Sequence, residues 1–239
     1  MLPIQDVNPT RRFPIVNYAL IAINVIVFVT QLGLSERDLT QVYFTQSVVP
    51  NLVTQTPFFP ETLLDFIRSM FFHGGWAHLL GNMLYLYIFG DNIEDRMGSV
   101  MYLVFYLICG FAAGYAQVLI DPASGIPLIG ASGAIAGVLG GYLVLFPNVK
   151  VRALVLLGYF SRLTEVPALI VLGFWFVLQL FNGFMSLGGT AETGGGVAFF
   201  AHVGGFVAGA VLVFVFKMIF PQPPADDMRN MLYQRQGRL

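Results

Sequence analysis

The sequence predicts an all-α membrane protein, a bundle of six transmembrane helices whose N-terminus lies on the cytoplasmic side. Composition is the first observation behind that: 56% of the residues are hydrophobic, 10% are charged, and the mean hydropathy is +0.74. Soluble domains carry about a quarter charged residues, so a chain this poor in charge must offer much of its surface to lipid. The second is a set of six apolar runs, at 15–34, 76–89, 97–120, 128–146, 166–185 and 197–220, most of them near the length a bilayer requires. The third is the placing of the basic residues. Threaded from an inside N-terminus, Arg11, Arg12, Arg96, Lys150, Arg152, Arg162, Lys217, Arg229, Arg235 and Arg238 fall inside, and only Arg37 and Arg68 outside.

Each segment has its own reason. Residues 1–12 are a short polar lead on the cytoplasmic side. The run at 15–34 follows two arginines but is long for a signal peptide and lacks a small-x-small cleavage site, so it reads as a retained span. Residues 35–72 mix charges with Pro57-Phe58-Phe59-Pro60 and are too long for a plain turn, so part of this connection is expected at the membrane interface. The second span closes on Asp91-Asn92-Ile93-Glu94-Asp95-Arg96, and Asp121-Pro122 ends the third. Residues 150–162 are basic with an apolar middle, too short to span and expected at the interface. A glycine-rich loop at 186–196 precedes the last span, and 221–239 read as a flexible cytoplasmic tail. The organisation is thus a lead (1–12), a six-helix domain (13–220) and a tail (221–239). A net charge of −1 argues against nucleic acid as a partner, and the lone Cys109 reads as a small buried hydrophobe.

Polar residues inside spans are costly and mark function when they converge. In this topology spans two, four and six all run from outside inward. His78 and Asn82 then begin span two, Ser132 begins span four and His202 lies near the start of span six, at one depth below the outer face. Span four reads Gly133-x-x-x-Gly137-x-x-x-Gly141 and span six Ala201-x-x-x-Gly205-x-x-x-Gly209, small-residue stripes that let helices approach closely in lipid. Packed face to face, they bring Ser132 to His202.

A serine hydroxyl attacks only when a base takes its proton, and histidine titrates in the right range. Span six holds no acid, so the expected machinery is a Ser132–His202 dyad with the imidazole oriented by packing or backbone contacts. His78 and Asn82 are four residues apart on one helix face, and with the Ser132 backbone N–H at a helix start they supply donors for an oxyanion. His73 falls off that face and reads as a loop anchor. A metal centre is the rival use of three histidines, but the His-Glu-x-x-His pattern is absent and the expectation is no metal and no cofactor. The glycines at 186–196 read as a mobile cap over the site.

These residues resemble the rhomboid family of intramembrane serine proteases. The resemblance rests on His73-Gly-Gly-Trp-Ala-His78-Leu-Leu-Gly-Asn82, Gly130-Ala-Ser132-Gly133, Ala201-His202-Val-Gly-Gly205 and Glu94-x-x-x-Gly98, and covers roughly residues 14–220. It implies Ser132 as nucleophile, His202 as general base, and His78, Asn82 and the Ser132 amide as oxyanion donors. It implies single-span membrane proteins as substrates, cut near small residues, and a bacterial cytoplasmic membrane with the site opening outward. An inactive relative that binds membrane clients is the alternative, disfavoured because both Ser132 and His202 are present. Two features depart from the family. Leu64-Asp65 stand where many members have Trp-Arg, and Ala136 replaces a tyrosine that stacks on the catalytic ring, leaving Phe199 or Phe200 as candidates for that role.

Overall fold

In lipid every backbone N–H and C=O must find its partner within its own segment, so apolar runs fold as helices. The computed structural model describes residues 1–157, 160–187 and 197–220. In chain order the elements are β1 (Leu2–Asp6), α1 (Ile15–Gln31), α2 (Glu36–Gln46), α3 (Pro50–Val53), α4 (Pro60–Ser69), α5 (Trp76–Met97), α6 (Ser99–Ile120), α7 (Ser132–Leu145), β2 (Lys150–Leu157), β3 (Phe160–Pro167), α8 (Ala168–Leu187) and α9 (Phe199–Ile219). Among the described residues, three helices are long and apolar enough to cross a membrane, α6, α8 and α9; α1 and α7 are shorter and apolar. The expected cap at 186–196 falls mostly, and the expected tail wholly, outside the described residues.

The chain is mostly helical, and the all-α expectation needs one correction. Residues 150–157 and 160–162 are extended strands. They belong to a hairpin whose first strand, β2, pairs antiparallel with β3 on one side and with β1 on the other. The local reason is a period of two: Val151 and Ala153 are buried while Lys150 and Arg152 are exposed. Glu165 of β3 receives Lys150 at 3.5 Å and Arg152 at 3.2 Å. The polar lead is therefore also structured, as the strand that completes this sheet.

The long connection before α5 holds α2, α3 and α4, and aromatic packing docks it without the absent Trp-Arg pair. Phe66 of α4 is buried and stacks on Phe111 and Tyr115 of α6, with ring centroids 5.3 and 4.4 Å apart. Gly110 and Gly114 on α6 leave the notches that Met70 and Phe66 fill. Arg68, beside the departing positions, stays at the surface with Glu61 and Asp65.

At the centre, α7 packs between α6 and α9. A Cβ on Gly205 would run into the carbonyl oxygen of Gly133, and one on Gly209 into that of Gly137. The side-chain directions of Gly133 and Gly137 themselves point at Ala113 and Cys109 of α6. The α7 stripe thus serves two neighbours: its carbonyls meet α9 and its bare Cα atoms meet α6. Gly141 meets Val213 of α9, and Ala201 is buried at the outset of the α9 stripe.

Candidate active site

Ser132 is the first residue of α7, so its N–H has no acceptor within the helix. Gly130 sets up this entry with a φ of +123°, a conformation that side chains disfavour, and its N–H is tied to the Ser69 carbonyl at 2.9 Å. A Cβ at Gly130 would lie 2.6 Å from His78 Nε2 and 3.6 Å from Asn82 Nδ2. The bare glycine is what lets the α5 pair and the start of α7 share one cleft.

Across the cleft, His202 Nε2 lies 2.7 Å from Ser132 Oγ. The two residues come from α9 and α7, held at that separation by the glycine contacts below them. His202 Nδ1 lies 2.8 Å from Gln179 Oε1 of α8. With the ring proton on Nδ1 donated to Gln179, the Nε2 lone pair is free to accept the serine hydroxyl. The ring beside His202 is Trp175, with centroids 5.9 Å apart and planes at 37°; Phe200 instead meets Phe184 edge-on.

On α5, Asn82 is buried and its Nδ2 donates to His73 Nε2 at 2.9 Å. His73 Nδ1 donates to the Phe71 carbonyl at 3.3 Å, which fixes the tautomer that accepts from Asn82. The His73 backbone is held as well, its N–H by Gln31 Oε1 and its carbonyl by Gln31 Nε2 and the Tyr43 hydroxyl. His73 therefore anchors the loop and also grips the Asn82 amide. One Asn82 N–H remains to point elsewhere. Among the described residues, no three His, Cys, Asp or Glu side chains converge as metal ligands would.

Beside Ser132 opens a cavity of about 50 Å³, whose walls include Gly110, Ala113, Gly114, Gly133 and Met70. That is room for a water or a small side chain.

Gln179 and Trp175 were not among the residues the sequence singled out. A signal was available: Gln179 is an amide within the fifth span, where any polar group is costly.

Fold and site together define a class: a helical integral membrane protein with a serine and a histidine from separate helices hydrogen-bonded in a cleft. The Rhomboid domain model matches residues 60–219, and the chain belongs to the rhomboid family. RHOMBOID-like protein 5 of Arabidopsis thaliana is 30% identical over 174 residues, covering 69% of this chain and 50% of that protein. Rhomboid protein 1, mitochondrial, of Saccharomyces cerevisiae is 30% identical over 199 residues, covering 81% of this chain and 51% of that one. Rhomboid protease GluP of Bacillus subtilis is 32% identical over 142 residues, 59% of this chain and 24% of its own length. The chain thus spans about half the length, or less, of these curated relatives.

Proposed function

We propose that this protein is an intramembrane serine endopeptidase that hydrolyses peptide bonds of single-span membrane proteins through a Ser132–His202 dyad. The observation that carries the proposal is the 2.7 Å hydrogen bond between Ser132 Oγ and His202 Nε2. In the reaction Ser132 Oγ attacks the scissile carbonyl while its proton passes to His202 Nε2. The oxyanion is met by the Ser132 N–H at the positive end of α7, by the spare Asn82 N–H and by His78. The imidazolium then protonates the leaving amine, and a water, deprotonated by the same nitrogen, releases the acyl group and restores Ser132.

The bilayer frame is part of the proposal: six spans, formed by α1 and α5 to α9, with the N-terminus inside. The length of α7 supports a wet site below the surface. Its 14 residues cover about 21 Å, less than the roughly 30 Å hydrocarbon layer, so its ends lie within the membrane. The small cavity beside Ser132 favours substrates with a small residue before the cut. No metal or cofactor enters this scheme, and the helical domain at 13–220 carries it entire.

The test is cleavage of a reporter transmembrane helix in liposomes, with a serine-directed phosphonate as a second readout. Wild type should cut and label, whereas Ser132→Ala and His202→Ala should lose about 10⁴-fold or more in rate. Equal cleavage by wild type and Ser132→Ala would remove the proposal.

A further inference from the structure

The imidazole of a serine hydrolase needs a group on Nδ1, because the nitrogen that takes the serine proton must be Nε2 and must point at the hydroxyl. Neither Asp nor Glu occurs in α9 or α8. What stands at Nδ1 is a neutral amide, Gln179 Oε1 at 2.8 Å. Trp175, one helical turn earlier on α8, lies against the same ring. One face of α8 therefore contacts the imidazole twice, through an acceptor at its edge and an indole beside it.

We infer that Gln179 is the positioning residue of His202, its amide oxygen holding the Nδ1–H so that Nε2 stays turned to Ser132. This deepens the protease reading and rests on it. An amide suits this depth. A carboxylate would have to be desolvated in a low-dielectric cleft, whereas the amide oxygen fixes the ring and accepts from the imidazolium without carrying charge. The proton moves from Ser132 Oγ to His202 Nε2 and later to the leaving amine. The Nδ1 proton stays where it is throughout, bonded to Gln179. Ser132 and Gln179 meet the ring without carrying charge, and among the described residues His78 is the titratable side chain whose charge reaches His202.

The experiment uses the full chain in liposomes, with Gln179→Met and Gln179→Glu beside wild type. Methionine keeps the length and shape of the stem and removes the acceptor. Gln179→Met should lower kcat by about 10- to 100-fold with KM within about twofold, and its unfolding temperature should match that of wild type. Gln179→Glu should keep activity and move the acid limb of the kcat/KM profile up by about one pH unit. Nitrogen-15 spectra of His202 should report the Nδ1–H tautomer in wild type and a mixture in Gln179→Met. If the charged variant fails to fold, the methionine variant and the tautomer spectrum decide alone.

The inference is overturned by a Gln179→Met protein with wild-type kcat, acid limb and tautomer. It falls with the protease reading if wild type neither cuts nor labels at Ser132. Cleavage by wild type that is lost in Ser132→Ala but unchanged in Gln179→Met sinks the role of Gln179 alone.

Discussion

The two ends of α7 handle buried polar groups in opposite ways. Near Tyr142 the groups are carboxyls, each bound by several partners. Glu94 accepts from the backbone N–H groups of Val16 and Asn17 and from the Ser99 hydroxyl. Asp95 accepts from the Arg11 side chain and from the N–H groups of Arg11 and Arg12. Asp6 Oδ2 takes both Asn92 Nδ2 at 2.9 Å and the Tyr142 hydroxyl at 2.7 Å. At the Ser132 end, among the described residues, no carboxylate takes part: the polar set is hydroxyl, imidazole and amide, paired as Ser132–His202, His202–Gln179 and Asn82–His73. Cavity size follows the opposite trend, about 500 Å³ beside Asp6 and Asp91 against about 50 Å³ beside Ser132. The contrast teaches that carboxylates with several donors apiece, not space, set the Tyr142 cluster apart from the neutral one-to-one pairs at Ser132.

Three substitutions test this division, taken in order of expected effect. Gly205→Leu drives a side chain into the Gly133 carbonyl, parting α7 from α9. It should abolish cleavage and phosphonate labelling and cost about 3 kcal/mol or more in stability; a folded, fully active variant would contradict the packing that joins Ser132 to His202. Glu94→Ala removes three accepted hydrogen bonds at the start of α1 and α6, outside the cleft. It should cost about 2 kcal/mol by denaturation while kcat below the melting range stays within about twofold. A large loss of kcat at unchanged stability would show that the charged end takes part in the chemistry.

Asp6→Asn is the mildest. Burial pushes the Asp6 carboxyl up from 3.8 to about 7, with the Tyr142 hydroxyl bond pulling it down and the nearby Asp91 charge adding to the rise. Its folded value lies above its unfolded one, so the native state holds the proton more tightly. The stability it contributes is complete below about pH 4 and is lost as the pH rises through about 7. Thermal unfolding across that window should fall with pH in wild type and less steeply in Asp6→Asn, with no change in the cleavage profile. Identical slopes would show that Asp6 is not buried as described.

The meeting of Ser132 and His202 was legible in the sequence because its signals are local. Helix-spaced glycines, a serine after Gly130 and a histidine beside a small-residue stripe are each visible within ten residues, and the hydrophobic runs set the helices that carry them. Gln179 escaped because a lone amide in an apolar run has no partner in its own segment; its meaning appears only when α8 lies against α9. The sheet escaped for a related reason. β1 and β2 are each short, and the pairing joins Leu2 to Leu154, far away along the chain, so neither strand announces the other. The ring beside His202 comes from Trp175 on a different helix and not from position 136, a placement that position-by-position reading does not reach.

That long-range pairing has a consequence for biogenesis. The first strand leaves the ribosome well before its partner, which begins at Lys150. At about 5–20 residues per second the gap is on the order of 10 s. The strand must wait, unpaired, while α1 to α7 are synthesised. Zipping of the sheet is thus a late event that ties residues 2–6 to the second half of the chain only after α7, the helix that begins at Ser132, has been made. A tag or binder that captures residues 2–6 during translation would stall maturation without touching any group in the cleft.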